Sequence, residues 1–407
     1  MSVSEDKVAI YRPGKRPESR DFHELPPLSL YIHLPWCLQK CPYCDFNSHA
    51  LGSEPLPENA YIDALLADLT TELPAVWGRQ IHSVFIGGGT PSLFSPESLD
   101  RLLSGVRALT AITPGTEITM EANPGTFEQQ KFAEFNDIGI NRLSLGIQSF
   151  DDDHLKALGR VHGSNESLQA AFEARDAGFD NINLDLMFGL PGQTKEQAMR
   201  DLSLAIEASP NHISYYQLTL EPNTLFHKYP PILPDHDRLW SIQEQAIDHL
   251  QAAGFSRYEI SAWANNGKTS THNMNYWQYG DYIGIGAGAH GKISRADNGT
   301  ITRRIKQKHP QHYLANAGLD AGVVEEKQVP IGDTALEFTL NALRLIEGFT
   351  PPLFNAHTGT DLMFWDKQFR AAEDAGLLEY TALEIKPTPK GTDFLNELLE
   401  FFIPESE

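Results

Sequence analysis

Cysteine is nearly absent: there are three in 407 residues, an odd number crowded between Cys37 and Cys44. That excludes a disulfide scaffold, which needs pairs spread widely enough to staple distant segments. Long apolar runs are missing as well. The longest, such as Leu28–Leu34 and Tyr282–Ala289, fall far short of the roughly 20 residues that span a bilayer. No N-terminal segment has the charged, apolar, small-residue order of a signal peptide, so a soluble, cytoplasmic protein is expected. Positive charge is also scarce. With 32 Lys+Arg against 54 Asp+Glu the net charge is −22, which argues against charge-driven nucleic-acid binding and leaves a solvated acidic surface. Only Arg12–Arg20 and Arg303–Lys308 stand out as basic clusters. What is present is ordinary globular material, 41% hydrophobic and 21% charged, enough for two or three domains or one large α/β barrel.

Residues 1–27 are polar, with four prolines, and read as a loosely held leader. A repeating pattern follows. β-Rich runs at Leu28–His33, His82–Ile86, Glu117–Ala122, Arg142–Ile147, Asn181–Phe188 and His212–Leu220 are each followed by helical periodicity: Ala60–Leu73, Pro96–Leu109, Phe127–Asp137, Ser164–Ala177, Lys195–Ala208 and Asp235–Ala253. Parallel neighbours need a long return connection, so six strand–helix repeats predict parallel strands with right-handed crossovers. The runs are apolar at nearly every position, as in a sheet covered on its outer face. Six units are too few for an eight-fold barrel, so a partial TIM-like (β/α)6 barrel over 28–258 is the first choice and a doubly wound sheet the second. Residues 259–330 read as a connecting region, first aromatic and glycine-rich, then polar with weak periodicity. From 331 to 407 helices return at Thr334–Leu345, Leu362–Ala375 and Thr392–Phe402, with a short β-like run at Leu377–Ile385, which predicts a small, mostly α, winged-helix-like domain.

The cysteines form Cys37-x3-Cys41-x2-Cys44 in a loop directly after the first strand. Three thiolates this close can converge on one metal centre but cannot supply a fourth ligand. Zinc is one reading, with His33 or His49 completing the tetrahedron. A 4Fe–4S cube with one open iron is the other, and compressed three-cysteine loops suit it. Later strand ends carry further ligand-type groups, where a barrel places its active site. Gly87-Gly88-Gly89-Thr90-Pro91 ends the second strand, Glu121-Ala122-Asn123-Pro124 the third and Gln148-Ser149 the fourth; Asp185 precedes Gly189-Leu190-Pro191-Gly192 on the fifth. A glycine turn alone is weak. Glu121 and Asp185 lie in apolar strands, where a carboxylate is costly unless it meets a ligand or an arginine such as Arg142.

Taken together and in order, the cysteine spacing and Gly-Gly-Gly-Thr-Pro resemble the radical S-adenosylmethionine (SAM) superfamily. The runs Glu121–Gly125, Leu143–Phe150, Leu158–His162 and Asn183–Gln193 are similar to its oxygen-independent coproporphyrinogen III oxidase branch. The resemblance spans the chain from about Leu28 onward. It implies that Cys37, Cys41 and Cys44 hold a 4Fe–4S cluster whose open iron binds SAM. It further implies that Gly88, Gly89 and Thr90 meet the methionine end of SAM and Glu121 its ribose or amino group. Tyr31 would lie beside the cluster, and Gln148, Arg160 and Asp185 would line the SAM region.

Two departures turn the expectation from oxidase to carrier. The true oxidase has a further cysteine two residues after the third ligand, and here that position is Phe46. The run His272-Asn273-Met274-Asn275-Tyr276-Trp277 matches HNxxYW, a motif of the HemW-like haem-chaperone branch. That branch implies haem as cargo, haem-acceptor proteins at the cytoplasmic face of the membrane, and leaves open a cluster-dependent homodimer. Physically, Tyr258, Trp263, Tyr276, Trp277, Tyr279 and Tyr282 offer stacking area beside His272, which is expected to be the haem ligand. The competing reading makes His272 a core histidine in a packed segment. The glycine run Gly284–Gly291 could approach either SAM or haem. A DNA-reading winged helix needs a basic recognition helix, and Leu362–Ala375 is roughly neutral, so docking against the barrel or a protein is expected instead. The expected function is a haem chaperone, with an active coproporphyrinogen III oxidase as the alternative.

Overall fold

The computed structural model describes residues 17–404. Six expected strands form in order: β1 (Leu28–Leu34), β2 (Gln80–Gly88), β3 (Ala111–Ala122), β4 (Arg142–Gln148), β5 (Ile182–Phe188) and β6 (His212–Gln217). Neighbours along this series pair in parallel. The strands are buried at nearly every position, because helices cover one face and the barrel interior the other. The helices between them start where local chemistry dictates. Ser95 accepts from the Ser98 amide ahead of Pro96, Thr194 and Gln197 cap each other reciprocally, and Asp235 caps the helix at His236–Ala252. Each cap satisfies backbone N–H groups that the first helical turn leaves without partners. The stretch expected as one helix at Phe127–Asp137 is broken instead into Thr126–Gln129 and Phe132–Asp137; Lys131, at the break, donates to the Ser92 and Phe94 carbonyls.

Residues 259–330 continue the main sheet rather than merely connecting domains. The hairpin of β7 (Ser256–Glu259) and β8 (Ala262–Ala264) pairs antiparallel onto β6. At the opposite edge, β9 (Asp281–Gly286) pairs in parallel with β1 as a seventh parallel strand. Beyond it β10 (His290–Arg295), β11 (Thr300–Lys306) and β12 (Val323–Gln328) run antiparallel. The spatial order β12-β11-β10-β9-β1-β2-β3-β4-β5-β6-β8-β7 is linear, so the sheet is an open, partial barrel.

Buried charge explains why β10 to β12 read as polar with weak periodicity. Lys306 reaches Asp68 and Glu72 of the helix Glu58–Glu72, each at 2.6 Å, and Lys292 meets Asp281 at 3.0 Å. These lysines sit on core-facing positions, where a pattern search expects apolar side chains.

A second core, built on Phe338, Phe349, Phe354, Trp365 and Phe369, holds the C-terminal unit together. It contains helices at Thr334–Ala342, Pro351–Thr358 and Asp366–Asp374, a hairpin Leu378–Tyr380 with Ile385–Pro387, and short helices through Glu400. This is the expected winged-helix-like order plus one further helix at Pro351–Thr358. The described part of the leader is not loose. Phe22 joins this second core, and Arg20 donates to the Val329 carbonyl and the Thr334 hydroxyl. Residues 1–16 lie outside the described residues. No described helix is long and apolar enough to cross a membrane.

Candidate functional site

The loop after β1 is folded back by its own backbone. His49 N donates to Pro35 O and Leu51 N to Cys37 O, both at 2.7 Å, and Cys44 N closes a turn on Cys41 O. Lys40 reinforces the loop by donating to the Phe46 and Ser48 carbonyls. Asn47 straps it to the far flank through Ala287 O and Lys308 O, both at 2.8 Å. The glycine turn after β2 pins the other side: Gly89 N donates to Leu34 O and Thr90 N to Trp36 O. Gly88 has φ +115°, and a Cβ there would lie 2.4 Å from the His33 ring, so both the conformation and the space demand glycine.

All three cysteines are free and half-buried. Burial pushes the thiols of Cys37 and Cys44 up, partly offset by hydrogen bonds from Thr90 and Ser48 respectively. Arg160 points its guanidinium at Cys41 Sγ, 3.8 Å away, while donating to Asn123 Oδ1 and Gly146 O at 2.7 Å. Asn123 in turn donates to the Thr90 hydroxyl. Among the described residues no group of three or more His, Cys, Asp or Glu side chains stands close enough to hold a single metal ion.

The carboxylates face the same space. Glu121 accepts from Gly88 N at 3.0 Å, and burial, aided by nearby Asp185, pushes its carboxyl up to about 7. Asp185 accepts from Ser144 and Asn183. Neither carboxylate meets Arg142 or any other base in an ion pair among the described residues, so the structural alternative for them is not realised. Gln148 sits at φ +68°, a conformation costing about 1 kcal/mol or more for a non-glycine residue, and its amide oxygen accepts from Tyr216 OH. Cys37, Cys41, Cys44, Gly88, Gly89, Thr90, Glu121, Gln148, Arg160 and Asp185 all line one cavity of about 490 Å³ at the strand ends. Sequence reasoning missed Tyr216 and Arg344, which also line it. Tyr216 is hidden in an apolar strand, and Arg344 arrives from the C-terminal unit, so neither carried a local signal.

Tyr31 and His272 do not join them. Tyr31 lines a second cavity of about 740 Å³ and is hydrogen-bonded to His33 Nδ1. His272 is 1% exposed, with Nδ1 paired to Ser83 Oγ at 2.9 Å and Nε2 to Tyr276 OH at 3.0 Å. Burial, and then Arg142, hold its imidazole neutral, down to about 3. Both ring nitrogens of His272, the expected haem ligand, are thus hydrogen-bonded to neighbouring hydroxyls, and its ring packs edge-on against Tyr276.

The helix Thr271–Trp277 that carries the HNxxYW residues forms a partition. Asn273 and Trp277 face the strand-end cavity, whereas Tyr276 and again Trp277 face the second one. Cys44 and Phe46 also border both. At the start of the glycine run, within β9, Gly284 serves close packing, since a Cβ there would lie 1.9 Å from the His290 carbonyl oxygen.

Comparison with known proteins agrees with this geometry. Residues 31–205 match the family model described as the radical SAM superfamily. The chain is 48% identical to the heme chaperone HemW of Escherichia coli over 94% of its own length and 100% of that protein. It is 49% identical to HemW of Haemophilus influenzae over 94% and 99%. The solved coproporphyrinogen III oxidase of Escherichia coli, a radical SAM enzyme, superposes with a TM-score of 0.78 at 21% identity, covering 94% of both chains; this likeness is one of fold.

Proposed function

Because the chain belongs to the HemW family of radical SAM proteins, we propose that it is a cytoplasmic haem chaperone that holds a 4Fe–4S cluster and SAM at the strand ends and passes haem to acceptor proteins. The observation that carries the reading is the single strand-end cavity lined by three free thiols, the glycine turn and two carboxylates that have no ion-pair partner among the described residues. Three thiols within one short loop suit a cube of four irons with one iron left open better than a structural zinc, which takes four protein ligands. When bound, the cluster and SAM supply one-electron chemistry at the sulfonium.

The chain's own residues bind and orient. Cys37, Cys41 and Cys44 are the cluster ligands, and Arg160 places positive charge beside Cys41. Gly88 and Gly89 leave room for the methionine end of SAM. Glu121 and Asp185, costly to bury as anions without cations, offer acceptors for its amino and hydroxyl groups. Phe46 is 60% exposed and stands where the oxidase branch has a cysteine, so it offers apolar area where an oxidase would place a thiol. Favouring carrier over oxidase rests on that residue and on the full-length identity to haem chaperones.

Anaerobic reconstitution tests the reading. Iron and sulfide analysis should give about four of each per chain, and one zinc instead would refute the cluster. Haem titration should show a stable complex, with no decarboxylation of coproporphyrinogen. Formation of protoporphyrinogen without a stable haem complex would overturn the chaperone assignment in favour of the oxidase.

A further inference from the structure

A third cavity, of about 540 Å³, opens between the β6–β8–β7 edge of the sheet, the helix His236–Ala252 and the last short helices of the C-terminal unit. Its volume lies within the roughly 300–1,000 Å³ of small-molecule sites. The floor is aromatic. Phe188 and Tyr215 stack at 4.8 Å between centroids, and the Arg257 guanidinium lies over the Trp263 ring at 5.9 Å. Leu340 and Phe394, both large and exposed, line the same space from the C-terminal unit.

Three donors on this lining have no hydrogen-bond partner among the described residues: the hydroxyl of Tyr215, a residue only 6% exposed, and the Nε atoms of Arg257 and Arg344. Arg344 commits its far end to Glu259. Arg257 donates to the Ile260 carbonyl and forms no ion pair among the described residues. The C-terminal unit adds two exposed carboxylates, Asp393 and Glu397, which likewise form no ion pair among the described residues. Burial pulls the Arg257 guanidinium down, against the charges of Glu259 and Asp393, and pushes the Asp393 carboxyl up, against the charge of Arg257. Arg257 and Asp393 thus sense each other at this cavity without closing to an ion pair.

A simple anion here would meet Asp393 and Glu397, and a simple cation would meet Arg257. A ligand carrying both charges offsets both. The carboxylate of a zwitterion accepts from the free Nε–H and phenol donors, its ammonium donates to the acids, and an apolar side chain covers the aromatic floor. We propose that this cavity binds an α-amino acid with an apolar side chain, its carboxylate on Arg257 and Tyr215 and its ammonium towards Asp393 and Glu397. Tyr216, Ser261 and Arg344 line both this cavity and the strand-end one, so the ligand shares a wall with the SAM region. SAM carries the same aminocarboxylate group, and methionine is its amino-acid part. The site does not depend on haem as cargo.

Reconstituted full-length protein is titrated with L-methionine by isothermal calorimetry, with the reduced cluster followed by electron paramagnetic resonance. A saturable site should appear while the cluster signal stays unchanged, because a ligand on the open iron would alter it. N-acetylmethionine and methionine methyl ester, each lacking one charge, should bind about tenfold more weakly. Arg257→Gln should weaken methionine about tenfold, and Asp393→Asn, a conservative change at an exposed position, about three- to tenfold. Leu395→Trp should weaken it by filling the cavity. Excess SAM separates the two sources of the group: it displaces methionine if SAM itself enters here, and leaves the affinity unchanged if the site takes the free amino acid. The proposal is overturned if methionine does not bind, if it shifts the cluster signal, if the two singly charged derivatives bind as tightly, or if Arg257→Gln and Asp393→Asn both bind as wild type does.

Discussion

The two cavities share a wall but are held up in different ways. The strand-end cavity rests on parallel strands whose inner and outer positions are apolar, in a core that runs from Leu30 and Ile32 through Ile86, Leu145 and Leu184. The second cavity leans on β10 and β11, which are fastened to the barrel by buried ion pairs: Lys306 with Asp68 and Glu72, Arg304 with Glu72, and Lys292 and Arg79 with Asp281. Apolar burial tolerates change gradually, whereas a buried charge that loses its partner is strongly destabilising. The flank should therefore fail first and abruptly, taking the second cavity and the Asn47 strap with it, while the rest of the cysteine loop stays closed by its own backbone bonds.

The largest expected effect follows from that contrast. Lys306→Met removes the cation between Asp68 and Glu72; Arg304 still covers Glu72 at 2.9 Å, but among the described residues Asp68 keeps only the Tyr313 hydroxyl and the Gly286 amide. The cost should be about 3–5 kcal/mol, read as a lowered unfolding temperature. Haem binding should be lost at temperatures where cluster absorbance persists. Adding Asp68→Asn should recover most of the loss, since the orphaned charge goes with it. Simultaneous loss of haem and cluster in one cooperative step would show that the flank is not a separate unit.

How much of each region was legible in the sequence follows the same division. The strand ends could be read because each ligand-type group lies in a short motif at a predictable place: Gly88 and Gly89 in a turn, Glu121 and Asp185 in otherwise apolar runs. The parallel strands and their helices were found for the same reason. The flank was not read as sheet, because Lys292 and Lys306 occupy core positions as members of ion pairs whose partners lie 11 and more than 200 residues away. The sequence puts His272 beside aromatics but cannot show that Ser83, from β2, hydrogen-bonds its Nδ1.

A middle-sized effect concerns Glu121. In the unfolded chain its carboxyl ionises near 4.5, and in the fold burial pushes it up to about 7. Between those values the folded protein holds a proton that the unfolded chain has released, so this residue's contribution to stability falls as pH rises from about 4.5 to about 7 and is flat outside that window. Glu121→Gln removes the titration. Its advantage in unfolding temperature over wild type should grow across the window and level off, reaching about 2 kcal/mol once screening by water in the cavity reduces the full shift. SAM should shrink the difference, because its cationic amino group compensates the carboxylate. A difference independent of pH would mean that the carboxyl ionises in the fold as it does in water.

The smallest effect is the most discriminating, because it acts on the shared wall. Trp277 borders both cavities, its ring lies 4.4 Å under the Arg344 guanidinium, and its buried indole N–H has no hydrogen-bond partner among the described residues. Trp277→Phe removes that unsatisfied donor, which favours the variant, and weakens the cation–π contact and some packing, which disfavours it. Each is worth about 0.5–2 kcal/mol, so the net change in stability should stay below about 1 kcal/mol. Ligands read the wall more directly. Loss of indole surface should weaken haem, and loss of the guanidinium's platform should loosen Arg344 at the edge of the strand-end cavity and weaken SAM, each by about two- to fivefold. If the cavities communicate, SAM should then alter haem affinity less in the variant than in wild type, measured by titrating hemin with and without SAM. An unchanged SAM effect on haem would mean that the partition only separates the two sites and that coupling, if there is any, runs through the Cys44–Phe46 loop.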